Sequence, residues 1–303
     1  MIKRKIAIIG AGKLSFSLIP AMLKAGYNIQ CVVSRKLNSA KSLSNKFSIP
    51  NHSNSIKKIP IEIDAFFLAV PDGEIKKVAD NLSKVKRDFK NCICIHFSGV
   101  ENIDSLRALA KKGCSTGSFH IMQTFPSKNL IEIKNSSSAI EAIDKTAIYF
   151  LNQLVKKLGL KSFRINSDAK ELYHLAGVFS SNFLVGNLFN AFTLLKSEDK
   201  NPADIFRTTS YTTLKNIFGS TPAKSLSGPV DRGDLYAIKK HIEALDSKIR
   251  LARKKDQLKL LRMNYIIQSL GLLEVVKVKY RKPNPNHLKI KKYLNEKLNK
   301  SYI

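Results

Sequence analysis

Short apolar runs alternate with amphipathic stretches along the first half of the chain. Four runs have the length and composition of strands that are buried on both faces: residues 5–9, 29–33, 64–70 and 91–97. The stretches that follow them have the character of helices: residues 14–24, 38–47, 71–82 and 103–111. The polar connection at 48–60 leaves room for one short strand. This alternation predicts an α/β fold with a doubly wound parallel sheet, covered by helices on both faces.

The alternation ends near the middle of the chain. The last segments with strand character are residues 115–119, 139–143 and 160–165, and a helix is predicted at 144–158. Three long segments with helical character follow: residues 168–195, 202–218 and roughly 235–276. We therefore predict a sheet domain at 1–165, an all-α domain at 166–276 and a basic C-terminal tail at 277–303.

The segment 175–195 carries no formal charge and is long enough to cross a membrane. It also contains several polar side chains, among them Ser180, Ser181 and Asn182. Polar groups at this density are costly in lipid and are common in a helix that is buried in protein. We predict a helix buried between domains or subunits, and no membrane span.

A glycine turn follows the first predicted strand. Gly10 and Gly12 allow a tight reversal and a close approach of a ligand to the backbone, and Ser15 is the third small residue of the pattern. In a dinucleotide-binding turn the next helix begins here, so Lys13 and Leu14 are predicted to contact the cofactor phosphates. Ser15 stands where such turns usually have glycine. The segment therefore predicts a Rossmann-like dinucleotide site.

The residues after the second strand indicate which dinucleotide binds. An NAD site usually has an acidic residue there for the ribose hydroxyls, whereas an NADP site has cations and hydroxyls for the additional phosphate. This chain has Ser34, Arg35 and Lys36, and no acidic residue between Leu14 and Ile61. We predict NADP as the cofactor; the alternative is a solvated basic loop in a lysine-rich protein.

Ligands of open parallel sheets bind outside the carboxyl ends of the strands. This rule predicts further walls of the cofactor cleft after the strands at 64–70 and 91–97, which are the fourth and fifth if a short strand lies within 48–60. These residues are Ala69, Val70, Pro71, Ser98 and Gly99. We expect these residues to contribute shape and backbone contacts rather than proton transfer.

Two segments carry candidate catalytic groups. His120 follows a predicted short strand and precedes Gln123, so both are candidates to face a substrate. A second histidine, His174, lies four residues after Lys170 on the first helix of the all-α domain. Residues spaced by three, four or seven positions share a helix face, which predicts one polar stripe on this helix.

The stripe continues with Ser181 and Asn182, seven and eight residues after His174. If a carbonyl or imine is reduced by hydride, His120, His174 or Lys170 could supply the proton. Asn182 is the catalytic amide in this hypothesis, and Gln123 and Ser181 are predicted to contact the substrate. An alternative is that these polar groups only satisfy one another inside the protein.

Composition adds two constraints. The formal net charge is +29, which raises nucleic acid as a partner, but the lysines are spread along the chain and we do not expect nucleic-acid binding. The four cysteines are too few and too scattered for a disulfide framework, and no apolar leader precedes the first strand, so we expect a cytoplasmic protein. Cys92, Cys94 and His96 alternate along one strand but lack a fourth ligand, and no metal site is predicted.

Four segments occur in an order that resembles a known family. They are HFSG at 96–99, SFHIMQTFP at 118–126, YHLAGVFSSN at 173–182 and SGPVDRGD at 227–234. They resemble the bacterial Rossmann-like NADP oxidoreductases that carry a C-terminal helical domain of unknown function. Ile121 departs from the proline that these proteins usually have after the histidine.

The resemblance implies a fold similar to pyrroline-5-carboxylate reductase, ketopantoate reductase and phosphogluconate dehydrogenase, and a homodimer formed through the helical domain. It also draws attention to Arg232, whose guanidinium could bind a substrate carboxylate. We therefore expect hydride transfer between NADPH and a small, carboxylate-bearing metabolite in an interdomain cleft. The alternatives are a non-catalytic NADP-binding sensor or assembly protein, and nucleic-acid binding through the basic tail.

Overall fold

The computed structural model describes residues 4–195, 201–282 and 284–299. The chain divides into two compact units, Met1–Leu184 and Val185–Ile303. The predicted boundary at residue 166 coincides with the start of the first long helical segment, whereas contacts assign that segment to the first unit up to residue 184.

The first unit is built on an eight-stranded sheet in the order β3-β2-β1-β4-β5-β6-β7-β8. The strands are β1 Lys5–Ile9, β2 Asn28–Val33, β3 Asn51–Ser53, β4 Ala65–Leu68, β5 Ile93–His96, β6 Ser115–Met122, β7 Ser137–Ala142 and β8 Lys161–Arg164. The short β3 lies in the polar connection where room for one strand was predicted. This sheet, followed by a largely helical region, confirms the predicted fold class.

One pair of strands departs from the prediction of a fully parallel sheet. β6 and β7 are antiparallel, whereas the other neighbouring pairs are parallel. The connection from β6 to β7 contains no helix. A parallel neighbour needs a long crossover, usually a helix, so this chain returns antiparallel, and parallel pairing resumes at β8 after the next helix.

Helices cover both faces of the sheet. They are α1 Lys13–Lys24, α2 Leu37–Lys46, α3 Ile75–Ser83, α4 Arg107–Ala110 and α5 Lys145–Leu158, with short 3₁₀ turns at Ile56–Lys58, Asp72–Glu74 and Ile103–Leu106. Successive strand residues point to opposite faces. Ile6 and Ile8 of β1 accordingly belong to one apolar cluster, and Ala7 and Ile9 belong to the other.

A broken helical segment follows the sheet. A 3₁₀ turn at Ser167–Ala169 leads into α6 Lys170–Gly177, a π-helical turn at Val178–Asn182, and α7 Phe183–Leu194. Among the described residues, this is the one helical segment that is both long enough and apolar enough to cross a membrane. No part of its most apolar window is buried in the structure of the single chain, which therefore does not show the predicted burial.

The second unit is helical. Its helices are α8 Pro202–Gly219, α9 Pro222–Ser225, α10 Pro229–Arg232, α11 Leu235–Leu251, α12 Asp256–Lys279 and α13 Pro285–Asn299. The prediction of one helical segment at 235–276 was wrong, because α11 ends at Leu251 and α12 begins at Asp256. Within the predicted basic tail, α13 buries Ile290 and Leu294 completely in the apolar core of this unit. The helix is therefore part of a folded core.

Candidate functional site

The glycine turn joins the ends of three strands. Gly10 has a φ of +122°, and a Cβ there would lie 2.0 Å from the carbonyl oxygen of Ala69 after β4. The amide of Gly10 donates to the carbonyl of Val33 at the end of β2, at 2.7 Å. Ser15 is fully buried, and its hydroxyl donates to the carbonyl of Gly10 at 2.7 Å. Ser15 therefore supports the turn directly.

The start of α1 is open to a ligand. Gly12 is the N-cap residue, and no side chain accepts a hydrogen bond from the first amides of the helix. A Cβ on Gly12 would meet no atom within 4 Å. Lys13 and Leu14 are the first two helical residues, and Lys13 is exposed. Uncapped amides at a helix N-terminus attract anions, so this geometry fits a dinucleotide phosphate.

The basic residues after β2 are presented outward. The amide of Ser34 donates to the carbonyl of Ser53 at 3.0 Å, which ties the end of β2 to β3. Arg35 has a side chain that is 82% exposed and lies 4.0 Å from Glu74, a contact that the sequence pattern did not indicate. Lys36 is exposed at the N-cap of α2. These positions fit the additional phosphate of NADP.

The predicted walls of the cleft have different surroundings. Ala69, Val70 and Pro71 follow β4, the strand next to β1, and the amide of Ala69 donates to the carbonyl of Ile9 at 2.8 Å. Ser98 is 4% exposed, and its hydroxyl accepts from the amides of the residues two and three positions later. Its hydroxyl therefore shapes the loop after β5.

A histidine cluster lies beyond the end of β5. Residues 115–118 of β6 pair with β5, so the last four residues of β6 extend past it. This extension includes His120, which was predicted to follow the strand and in fact belongs to it. A Cβ on Gly99 would lie 2.9 Å from Nε2 of His120 and 2.9 Å from Cδ2 of His174. A side chain at position 99 would therefore displace one or both imidazole rings.

Tyr173 completes this cluster, although the residue-by-residue argument did not select it. Its hydroxyl lies 2.8 Å from Nδ1 of His120, and the two rings meet edge to face. The rings of His120 and His174 have centroids 6.2 Å apart. Tyr173 directly precedes His174 in the motif at 173–182, which was the only sequence signal for it.

Burial sets the charge state of this pair. Burial, with smaller contributions from His174 and Lys170, lowers the pKa of His120 to about 4. Burial also raises the pKa of Tyr173 to about 12. Near neutral pH both groups are therefore uncharged, and the bond between them joins a neutral imidazole and a neutral phenol.

Lys170 does not lie on an exposed stripe. Its side chain is 1% exposed, and its ammonium donates to the hydroxyl of Ser118 at 2.6 Å and to Glu141 at 3.2 Å. The other carboxylate oxygen of Glu141 accepts from Ser167. Burial lowers the pKa of Lys170, and the neighbouring carboxylate of Glu141 opposes this effect. This buried ion pair between α6 and the β6–β7 pair could not be identified from local spacing.

The remaining predicted stripe is interrupted. A π-helical turn begins at Val178 and ends at Asn182, so the spacing of seven and eight residues from His174 no longer defines one α-helical face. Asn182 is exposed and Ser181 is partly buried. Single π turns occur often at functional sites.

Two other predicted substrate contacts belong to a loop after β6 and to the second unit. Gln123 bonds within its own loop: its amide nitrogen donates to Ser136 at 3.4 Å, and its oxygen accepts from the amide of Thr124 at 2.8 Å. Arg232 belongs to the second unit, where it is exposed in α10.

The helix of Arg232 is anchored by the C-terminal part of the chain. The ammonium of Lys279 contacts both carboxylate oxygens of Asp231 at 2.9 Å, and Nε2 of His287 lies 3.0 Å from the carbonyl of Asp231.

The cysteines and His96 are internal. Cys92 and Cys94 are buried free thiols whose pKa values are raised mainly by burial. His96 is fully buried, its pKa is lowered to about 3, and its Nδ1 accepts from the amide of Ser98 at 3.2 Å. Among the described residues, no group of three His, Cys, Asp or Glu side chains could hold a metal ion.

Two protein families match the chain. The family described as NADP oxidoreductase, coenzyme F420-dependent, matches residues 5–98. A domain of unknown function, DUF2520, matches residues 136–257. No curated protein matches the chain.

Solved structures share the fold at low identity. A candidate NADP oxidoreductase from Bacteroides fragilis has 22% identity and a TM-score of 0.74, covering 89% of this chain and 98% of its own. A reductive aminase from Aspergillus terreus, in complex with NADPH and ethyl-5-oxohexanoate, has 12% identity and a TM-score of 0.57, covering 98% and 94%. A pyrroline-5-carboxylate reductase from Coxiella burnetii has 16% identity and a TM-score of 0.52, covering 89% and 98%.

The two family matches occur in the order that the sequence motifs predict, an NADP oxidoreductase domain and then a domain of unknown function. The glycine turn, the exposed cations after β2 and the parallel strands β1 to β5 lie within the first of them. The chain therefore combines a domain that matches the NADP oxidoreductases with a second domain that matches DUF2520, and its cofactor is NADP.

Proposed function

We propose that this oxidoreductase uses NADPH to reduce a carbonyl or imine of a small, carboxylate-bearing metabolite in the cytoplasm. The observation that carries the proposal is the neutral pair of His120 and Tyr173 against Gly99, at the carboxyl edge of the sheet that also holds the glycine turn. When bound, the cofactor supplies or accepts a hydride. The described cluster supplies hydrogen-bonding groups for the oxygen or nitrogen of the substrate.

The residues that hold the cofactor follow from the turn and from the loop after β2. Gly10 and Gly12 let the pyrophosphate approach the backbone, and the first amides of α1 bind it. Arg35 and Lys36 bind the additional phosphate of NADP, because both side chains are exposed beside the end of β2.

The proposed substrate contacts are the polar residues that the sequence predicts. Nε2 of His120 lies next to Gly99 and donates to the substrate, while Nδ1 keeps its bond to Tyr173. His174 is the alternative proton donor, and Asn182 orients the substrate. Arg232 binds the substrate carboxylate through its guanidinium.

We also propose that the protein is a homodimer. Several apolar residues of the segment 167–194 are exposed in the single chain; Phe179 is 63% exposed and Val185 is 68% exposed. A contiguous apolar surface of this kind marks an interface, and a second copy would cover it. Light scattering after size-exclusion chromatography measures the mass directly: a mass of two chains supports the proposal, and a monomer at micromolar concentration contradicts it.

A turnover assay with matched variants tests the function. Purified protein is incubated with NADPH and a panel of keto acids and imines, and oxidation of the cofactor is followed by absorbance. We expect turnover with at least one substrate, and a loss of about 10²-fold in kcat/KM for His120→Asn and for Tyr173→Phe, because acid–base groups contribute on that order. Tyr236→Phe is the control, since Tyr236 is 72% exposed on the second unit.

Binding measurements separate the cofactor site from catalysis. His120→Asn should keep the NADPH dissociation constant of the wild type, whereas Arg35→Ala should weaken NADPH and leave NADH unchanged. Tight NADPH binding without oxidation on any member of the panel would instead support a non-catalytic NADP-binding protein.

A further inference from the structure

A cavity lies at the opposite edge of the sheet from the glycine turn. Its volume is about 770 Å³. It is lined by residues at the amino ends of β1, β4 and β5 and by one side of α5, including Arg4, Asp64, Asn91 and Phe150. β1 has five residues, so this edge is roughly 16 Å from the turn at a rise of about 3.3 Å per residue. The cavity is therefore separate from the NADP site.

Aromatic rings that are fixed by the core form one wall. Phe150 packs edge to face against Tyr27, with centroids 6.4 Å apart. Phe150 also packs against Phe67, which is fully buried, with centroids 6.0 Å apart. The ammonium of Lys157 lies 5.0 Å from the centroid of the Tyr27 ring. Such a wall accepts a flat ring in an offset or edge-to-face arrangement.

The hydroxyl of Tyr27 has an unmet hydrogen bond. Its oxygen is buried and has no hydrogen-bond partner among the described residues. Burial raises the pKa of Tyr27 to about 12, so the hydroxyl keeps its proton and can donate it. Buried polar groups in folded proteins are nearly always paired, so this unpaired hydroxyl calls for a physical explanation.

The charges around the cavity favour an anion. Arg4 is already engaged, because its guanidinium donates to the carbonyl of Asn91 at 2.7 Å and lies 3.4 Å from Asp64. Asp64 also accepts from the amide of Lys5 at 2.8 Å. Lys90 and Lys157 line the cavity as well, and neither side chain pairs with a carboxylate within the described ranges.

We propose that this cavity binds a small, flat aromatic anion, such as an aromatic carboxylate or phosphate. The ring packs against Phe150 and Tyr27, and the anionic group faces Lys157 and Lys90. The buried hydroxyl of Tyr27 donates to an acceptor atom of the ligand after a small movement of the ring. This second site is independent of the reaction proposed above.

Calorimetry on the full chain tests the site. The protein is first saturated with NADPH, so that the cofactor site is filled, and is then titrated with 4-hydroxybenzoate and with phenyl phosphate. We expect both to bind, and the neutral 4-hydroxybenzamide and the ringless acetate to bind at least about fivefold more weakly. If only one of the two anions binds, the preferred anionic group is identified.

Two variants locate the binding. Lys157→Gln should weaken the aromatic anion by about two- to fivefold, the range of a partly exposed ion pair. Lys156→Gln is the matched control, since Lys156 is exposed on the same helix and does not line the cavity. Tyr27→Phe should weaken binding while leaving the melting temperature unchanged or higher, because it removes an unpaired buried hydroxyl.

Three results would overturn the proposal. One is the absence of binding at millimolar probe concentration. The second is binding that Lys157→Gln and Tyr27→Phe reduce no more than Lys156→Gln does, since that places the probe elsewhere. The third is a dimer in light scattering that Tyr27→Phe or Lys157→Gln dissociates, because a second chain would then occupy the cavity.

Discussion

Replacing Glu141 by glutamine tests the buried ion pair between Glu141 and Lys170. Lys170 and Glu141 are 1% and 6% exposed, and the charged atoms are 3.2 Å apart. Glutamine keeps the shape of the side chain and still accepts from Ser167, but it leaves the ammonium of Lys170 without a counter-charge. Glu141→Gln therefore changes one interaction while preserving the packing.

The cost of this change can be bounded. At an effective dielectric constant of about 20, two unit charges 3.2 Å apart attract by about 5 kcal/mol, and breaking a buried pair costs about 3–5 kcal/mol. The ammonium can escape the penalty by losing its proton. From the ordinary pKa of 10.5, deprotonation costs about 5 kcal/mol at pH 7 and about 2 kcal/mol at pH 9. The loss of stability should therefore be about 3–5 kcal/mol at pH 7 and no more than about 2 kcal/mol at pH 9.

The sign of this pH dependence follows from linkage. In Glu141→Gln the pKa of Lys170 is lower in the folded state than in the unfolded state, so the unfolded chain binds more protons and stability of the variant rises with pH. The double variant Glu141→Gln/Lys170→Met removes both charges and should be more stable than Glu141→Gln alone at pH 7, by about 2–4 kcal/mol.

The chain has no tryptophan, so circular dichroism in urea is the global measurement. Hydrogen exchange of peptides from β6 and β7 gives the local free energy of opening in the first unit. A loss below about 1 kcal/mol at pH 7, or a loss that is equal at pH 7 and pH 9, would refute the reasoning. Additive effects in the double variant would refute it as well.

Three further predictions concern other parts of the chain. Burial lowers the pKa of His96 from 6.5 to about 3, so the unfolded chain binds a proton that the folded chain does not. Folding stability should therefore fall as pH drops from 6.5 toward 3, by about 2 kcal/mol between pH 7 and pH 5 in urea titrations. His96→Asn should remove this part of the pH dependence. Gly10→Ala should lower the melting temperature and abolish NADPH binding, whereas Gly12→Ala, whose Cβ meets no atom, should keep the fold and only weaken NADPH; equal melting temperatures would contradict this. Leu294→Ala should destabilise the second unit by about 2–5 kcal/mol in urea, and Leu288→Ala, 66% exposed, should change little; equal effects would place α13 outside the core.

Much of the fold follows from local patterns in the sequence. The apolar runs at β1, β2, β4 and β5 are buried on both faces, so each is a continuous hydrophobic segment that periodicity identifies well. The antiparallel pairing of β7 could not be identified in this way, because its direction depends on which strand it meets and not on its own composition. The length of β6 was also underestimated, since its last residues extend past β5 and include polar His120.

The candidate site was only partly predictable for a related reason. The glycine turn and the cations after β2 are contiguous in sequence, and local rules identify both. The contacts of His120 with Tyr173 and of Lys170 with Glu141 join residues that are 53 and 29 positions apart. The spacing argument for a stripe assumed an unbroken α-helix, and the π-helical turn at Val178–Asn182 changes the phase of the residues after it.

The charge state of His120 constrains its role in the proposed reaction. With a pKa of about 4, only about one imidazole in a thousand is protonated at pH 7, so a pre-formed imidazolium is a minor species. A neutral ring that gives up the proton on Nε2 must receive another on Nδ1, and the group at Nδ1 is the hydroxyl of Tyr173, 2.8 Å away. In the proposed reaction the two residues therefore act as one proton-transfer unit. Removing either one interrupts the same step, so the double variant should lose little more activity than either single variant.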